Sequence, residues 1–139
     1  MTIDEIIADF DLLDDWEDRY RYVIELGKQL PQLAELDRNE ANRVRGCASQ
    51  VWLASRTEVT DGQVVLRFSA DSDALIVRGL IAIAFTIFNG KSPRDILQAD
   101  AERFFGRLEL REHLTAQRSN GLRALIDRIK AHAQTAAVA

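Results

Sequence analysis

The sequence predicts an α+β fold, in which several helices pack against a small, three-stranded antiparallel sheet. Apolar residues recur at helical spacing before residue 43 and after residue 69, whereas between these points apolar and polar residues alternate as in strands. Because the strands are grouped, helices should cover the sheet from one face. Hydrophobic residues make up 47% and charged residues 29% of the chain, a globular composition. The 139 residues predict one domain, 1–139.

Two helices are predicted ahead of the sheet. Thr2 is a good cap for the first helix, and Asp14 or Asp15 should cap the second. Gly27 weakens the last turn of the second helix, and Pro31 follows its end. The polar, irregular residues that come next predict a connecting loop.

The sheet is predicted from two alternating runs, 51–56 and 64–68. Asp61-Gly62 lies between them, and this dipeptide is a strong signal for a hairpin turn. Residues 42–45 are predicted to add a third, shorter strand.

The central helix is predicted from Asp73 to Phe88, with Asp71 or Ser72 as its cap. It is apolar on nearly all sides, which predicts that it is buried. Asn89-Gly90 should end it.

Three further helices are predicted from their start signals. Ser92-Pro93 begins a short one, and Asp100 can cap another. Ser119 or Asn120 should cap the last helix, and its tail from Gln134 onwards is expected to fray.

The charge balance argues against nucleic acid or anionic lipid as partners. Eighteen basic and 22 acidic side chains give a net charge of −4. Residues 1–40 hold 12 acidic and 4 basic side chains, a balance of −8, which leaves +4 for residues 41–139. This polarity is typical of a solvated acidic helix surface, and it could also orient a protein partner.

A cytoplasmic location is expected from three observations. The longest apolar run, 74–88, contains Arg78 and is too short to cross a bilayer. The first residues lack the basic region of a signal peptide. The single cysteine, Cys47, cannot form an intramolecular disulfide and suits a reducing compartment.

Cys47 is the first candidate for chemistry. Gly46 before it permits a tight turn, and in an extended segment Arg43 and Arg45 would lie on the same side as the thiol. Two guanidinium groups there would favour the thiolate. Cys47 could equally be a small buried hydrophobic residue, and the residues alone leave both interpretations open.

Other chemistries have weaker support. A cysteine hydrolase needs a base near the thiol, but His113 and His132 are both expected at the surface. One cysteine and two dispersed histidines have no metal-ligand spacing. Asp71 and Asp73 are expected to cap a helix, and Arg118 is expected to form a local ion pair.

The segment Gly46-Cys47-Ala48-Ser49-Gln50-Val51-Trp52-Leu53 resembles the cysteine loop of the SufE family, the sulfur acceptors of bacterial iron–sulfur cluster assembly. Three further regions, in chain order, resemble the N-terminal helix pair, the start of the central helix and the C-terminal motif of that family. They are Trp16–Tyr20 with Leu26–Pro31, Asp71–Leu80, and Leu114–Leu122.

The resemblance implies a fold shared with IscU-type scaffold proteins, and a role as a sulfur carrier and not an independent enzyme. Cys47 would accept persulfide sulfur from a SufS-like or CsdA-like cysteine desulfurase and relay it to a SufBCD-like scaffold complex. Pyridoxal phosphate would belong to the desulfurase, so this chain would carry no cofactor. Arg118 matches a position implicated in desulfurase contact, and Asp73 matches one near the loop.

The remaining loop residues form the predicted partner-binding segment around the acceptor. They are Arg43, Arg45, Gly46, Ala48 and Ser49. We expect Cys47 to be partly buried in the free protein and to swing outward on docking. A regulator that activates a desulfurase by docking alone is the main alternative, and a paralogue resembling CsdE is a variant of the carrier hypothesis.

Overall fold

In the computed structural model, which describes residues 1–46 and 49–138, two helices precede an antiparallel hairpin and five helices follow it. Two short 3₁₀ turns, Glu35–Asp37 and Glu40–Asn42, lie in the predicted connecting loop. The elements are α1 (Ile3–Leu12), α2 (Trp16–Lys28), β1 (Val51–Thr60), β2 (Gln63–Ser72), α3 (Leu75–Phe88), α4 (Pro93–Gln98), α5 (Ala101–Arg107), α6 (Leu110–His113) and α7 (Ala116–Val138).

The hairpin has the predicted position and turn. Its strands pair from Val51 opposite Ser72 to Thr60 opposite Gln63. Asp61 and Gly62 have φ angles of 52° and 75°, and this left-handed pair is the type I′ turn that matches the twist of the strands. The base of the hairpin is buried, whereas the tip extends into solvent.

The prediction of a third strand at residues 42–45 is wrong for the described part of the chain, where the sheet has two strands. Arg43 forms a single bridge with Trp52, and the Val44 N–H donates to the Val51 carbonyl at 2.9 Å. The 3₁₀ turn ends immediately before this bridge, and Gly46, with a φ of 92°, turns the chain three residues after it. Too few extended residues remain for a strand.

The outer edge of β2 is covered by the chain that follows α3. The Asn89 side chain accepts from the Phe68 N–H at 2.8 Å and donates to the Phe68 carbonyl at 3.2 Å. The Gly90 N–H donates to the Leu66 carbonyl, and the Leu66 N–H donates to the Lys91 carbonyl. The residues that follow α3 thereby satisfy the outward-facing backbone groups of Leu66 and Phe68.

Four predicted helix starts are confirmed, because at each of them a side chain accepts from the N–H three residues later. The capping residues are Thr2, Asp15, Ser92 and Asp100. The cap predicted for α3 is wrong: β2 continues through Ser72, so α3 begins at Leu75 without a side-chain cap.

The C-terminal region also departs from the prediction. Thr115 accepts from the Arg118 N–H at 3.2 Å, so α7 begins at Ala116, before the predicted caps Ser119 and Asn120. The tail is helical to Val138 and not frayed from Gln134. The short helix α6 has no counterpart in the prediction.

Helix α3 crosses α2 at two glycines. A Cβ atom on Gly27 would lie 2.5 Å from the Gly79 nitrogen, and one on Gly79 would overlap the Val23 carbonyl. The two backbones therefore touch, and α3 lies at the centre of the core. Its fully or nearly fully buried side chains include Leu80, Ile81, Ile83, Ala84, Ile87 and Phe88.

Candidate functional site

The segment around Cys47 is a loop closed at its base by the Val44–Val51 hydrogen bond. Cys47 and Ala48 lie outside the described residues. We call residues 41–46 the inbound leg and residues 49–52 the outbound leg of this cysteine loop. The described geometry of the site is that of the two legs and of the helices against which they pack.

Helix α7 holds the inbound leg. The Arg128 guanidinium donates to the Arg43 carbonyl at 3.2 Å and also to the Ala41 carbonyl. Four residues earlier on α7, the Ala124 Cβ lies 3.4 Å from where a Cβ on Gly46 would be. Glycine at position 46 is therefore favoured by its left-handed φ, and the chain there lies in contact with α7.

Both predicted loop arginines contact one carboxylate. Arg45 is paired with Glu40 at 3.1 Å, and Arg43 is 4.0 Å from the same side chain. Glu40 thus balances part of the positive charge that the sequence placed beside the cysteine. Arg45 is 78% exposed, so the pair lies in solvent and is weak.

Asp73 holds the outbound leg. Its carboxylate accepts from the Gln50 N–H at 3.0 Å, and its own N–H donates to the Gln50 carbonyl at 3.3 Å. This reciprocal pair replaces the helix-capping role that the sequence suggested.

Asp71 likewise does not cap α3, because it is paired with two arginines. It accepts from Arg38 and lies 3.1 Å from the Arg78 Nε atom. Arg38 also lies over the Trp52 ring, 5.2 Å from its centroid. These contacts fix the strand that leaves the loop.

A cavity of about 240 Å³ opens beside the outbound leg, between α3 and α7. Ser49 and Arg118, two residues predicted for the site, both line it together with Thr115, Gln117 and Gly121. The remaining walls are apolar. They are Val51, Val77, Leu80, Ile81, Leu122 and Leu125.

Arg118 is exposed at this cavity, and among the described residues no carboxylate lies within ion-pair distance of it. The local ion pair expected from the sequence is therefore absent from this part of the chain. Its guanidinium is available to a partner, in contrast to those of Arg43 and Arg45.

The two histidines are engaged elsewhere. His113 is at the surface, as predicted, and stacks on Trp16 with 3.6 Å between ring centroids. His132 is half-buried and not solvated as predicted, because α7 continues past it; its Nδ1 atom lies 3.0 Å from the Ser55 hydroxyl. Burial, and then the nearby Arg128 charge, lower the pKa of His132.

Within residues 1–46 and 49–138, no group of three His, Cys, Asp or Glu side chains is arranged to hold a metal ion. In the same residues, none of the helices has both the length and the apolar character to span a membrane.

Comparison with known proteins identifies relatives over nearly the whole chain. The family model SufE, described as an Fe-S metabolism associated domain, matches residues 4–133. An uncharacterized SufE-like protein of Rhizobium meliloti (strain 1021) is 53% identical over 133 residues, 96% of this chain and 95% of its own. One from Rhizobium etli is 51% identical over 138 residues, 99% of this chain and 93% of its own.

A solved structure shows the same fold. The solution structure of a hypothetical protein from Thermus thermophilus superposes with a TM-score of 0.74 over 100% of both chains, at 22% identity. The fold, the family model and the two relatives agree with the four sequence segments that suggested the family. The chain therefore belongs to the SufE family, which is associated with iron–sulfur metabolism.

Proposed function

We propose that this protein accepts sulfur on Cys47 from the persulfide of a cysteine desulfurase, and passes it to the machinery that assembles iron–sulfur clusters. The observation that carries the proposal is the cavity beside the outbound leg. Ser49, two residues after the cysteine, lines this cavity together with Arg118, which has no ion-pair partner among the described residues. A loop that bears the acceptor thus adjoins both an apolar space and an exposed cation.

The transfer requires one nucleophile. The Cys47 thiolate attacks the outer sulfur of the desulfurase persulfide, and a new sulfur–sulfur bond forms at Cys47. The bond between that outer sulfur and the desulfurase cysteine breaks, and the desulfurase cysteine leaves as a thiolate. The step is an exchange without net oxidation, so it needs no cofactor on this chain, and pyridoxal phosphate is required only by the desulfurase.

The single cysteine suits a carrier. A second thiol in the same chain could attack the persulfide, form a disulfide and release sulfide. The sequence contains no second cysteine. Sulfur loaded on Cys47 is therefore not released by a neighbouring thiol of the same chain and remains for transfer to an acceptor on another protein.

We propose that the cavity beside the outbound leg takes up the persulfide and separates it from cellular reductants. At about 240 Å³ it is several times the volume, ~30 Å³, that one water molecule occupies in the liquid. Six of its lining residues are aliphatic, and a charged reductant would lose hydration on contact with them. On docking, the loop carries the loaded sulfur out to the partner.

The face around this loop is the proposed docking surface. Arg118 is exposed there, with no carboxylate of the described chain in ion-pair distance. Arg45 on the opposite leg is paired with Glu40, but this pair lies in solvent, where a carboxylate of a partner can replace Glu40. Exposed arginines form charge-assisted hydrogen bonds with carboxylates or carbonyls of a partner. Gly46 and Ser49 complete the described part of this surface.

The test is intact mass spectrometry of the reduced protein after incubation with the cysteine desulfurase of the same organism, pyridoxal phosphate and L-cysteine. We expect a mass gain of one or more sulfur atoms in the wild type. Cys47→Ser should show none while keeping the wild-type circular dichroism and unfolding midpoint.

Two other results would redirect the assignment. Faster desulfurase turnover with Cys47→Ser as well as with the wild type would favour a regulator that acts by docking alone. Neither mass gain nor faster turnover with the wild type would reject this desulfurase as a sulfur donor.

A further inference from the structure

Arg128 is the side chain that ties the inbound leg to the core of the protein. Its two donated hydrogen bonds reach carbonyls at positions 41 and 43, more than 80 residues away in sequence. The leg is not held by a strand ladder, since Arg43 forms only an isolated bridge. A planar guanidinium presents its N–H donors in a rigid fork that holds two carbonyls at fixed separation, whereas the three donors of an ammonium group rotate on a flexible stem.

The contact belongs to a continuous stripe along α7. Arg118 and Gly121 line the cavity, Ala124 approaches Gly46, and Arg128 holds the start of the leg. These four positions are separated by three, three and four residues, so they lie on one side of the helix. One face of α7 thus runs from the mouth of the cavity to the base of the cysteine loop.

We propose that Arg128 is a positioning residue, which fixes the inbound leg on α7 and thereby sets the geometry in which Cys47 meets a partner persulfide. Nucleophilic exchange between sulfur atoms depends on alignment, and a small displacement of the attacking atom lowers the rate strongly. The expected effect of Arg128 on the transfer rate rests on the proposed sulfur transfer. The attachment of the inbound leg to α7 by Arg128 is independent of that proposal.

The first measurement is amide hydrogen exchange, which needs no partner protein. The Val44 N–H bonds to Val51 at the base of the loop, so its exchange reports detachment of the inbound leg. In Arg128→Ala we expect Val44 to exchange about tenfold faster, the factor expected for losing roughly one net charge-assisted hydrogen bond. Amides in the middle of α3 should keep their wild-type rates.

The second measurement is the rate of sulfur acceptance as the concentration of this protein is varied against a fixed amount of desulfurase. We expect the saturated rate to fall about tenfold in Arg128→Ala, with KM for the protein unchanged. Arg128→Lys keeps the positive charge and N–H donors but loses the planar fork, and it should recover part of both effects. Arg123→Ala, an exposed arginine on the same helix, is the matched control and should behave as the wild type.

The outcomes separate the two proposals. Wild-type Val44 exchange and wild-type transfer rates in Arg128→Ala would overturn the inference. A change in KM alone would also overturn it, since Arg128 would then be a docking contact. A third result is that Val44 exchanges faster in Arg128→Ala while the wild-type protein takes up no sulfur. That result would support the attachment of the inbound leg by Arg128 and would reject the sulfur-transfer function. If Arg128→Ala does not fold, Arg128→Lys measured against Arg123→Lys decides the question.

Discussion

The crossing of α2 and α3 and the junction of α7 with the cysteine loop are built in opposite ways. At the crossing, Gly27 and Gly79 let two backbones touch, and no space remains for a methyl group. At the junction, a cavity of about 240 Å³ remains open, and the legs are held by the side chains of Arg128 and Asp73. Close packing makes the first region a fixed support. Polar ties can be released one at a time, so either leg can detach while the core stays folded.

The largest effect should follow from adding a methyl group at the crossing. Gly79→Ala would overlap the Val23 carbonyl, and neither backbone can yield without separating the helices. We expect a loss of roughly 3 kcal/mol in the free energy of unfolding, the upper end of the range for overpacked cores. Urea unfolding followed by circular dichroism measures this directly.

Gly106→Ala is the matched control for that experiment. Gly106 lies in α5, and a Cβ atom there would meet nothing within 4 Å. Alanine is the better helix former, so this variant should be about 0.5–1 kcal/mol more stable. Equal stabilities for the two variants would show that the crossing has room to adjust, and the contrast between the two regions would disappear.

A smaller effect is expected at the mouth of the cavity, and it should appear in binding and not in folding. Arg118→Ala removes an exposed guanidinium without an ion-pair partner in the described residues. We expect the free energy of unfolding to change by less than ~0.5 kcal/mol. The Kd for the desulfurase should rise about tenfold, as for a lost hydrogen bond to a charged group. Isothermal titration calorimetry measures this Kd, and Arg123→Ala is the control. Equal Kd values for the two variants would contradict the prediction.

The smallest effect concerns His132, four residues beyond Arg128 on α7. Its pKa is lowered in the folded protein, mainly by burial, from an ordinary value near 6.5. Below that value the unfolded chain binds the proton first, so the stability contributed by neutral His132 is present above pH 6.5 and is lost as the pH falls through the folded pKa. Unfolding free energies at about pH 7.5 and about pH 5.5 should therefore differ less in His132→Gln than in the wild type. The same difference in both proteins would assign the pH dependence to other groups.

Local signals in the sequence predicted much of the fold. Asp61-Gly62 determines its own turn, and Ser92-Pro93 starts α4, because those preferences act within a few residues. Asp71 and Ser72 mislead as caps because strand pairing opposite Val51 extends β2 through both positions. From the sequence, Gly27 is expected to weaken the last turn of α2. In the structure, its lack of a side chain allows the backbone of α3 to approach closely.

The sequence identified residues of the candidate site better than it identified the contacts between them. The family resemblance selected Cys47, Asp73 and Arg118, and the structure places the last two at the outbound leg and at the cavity. Their roles stay predictions. Arg128 was missed because its contacts span more than 80 residues, and local pattern carries no information at that distance. An arginine in line with Gly121 and Ala124 on one helix face is the signal that could have identified it.

The covered edge of β2 has a consequence for how this protein meets others. An open strand edge is a template on which another chain can add its own strand, and it promotes unwanted pairing and aggregation. Here the Asn89 amide and the backbone of Gly90 and Lys91 occupy that template between Leu66 and Phe68. Between Leu66 and Phe68, this side of the sheet therefore offers a neighbouring protein no free edge on which to add a strand.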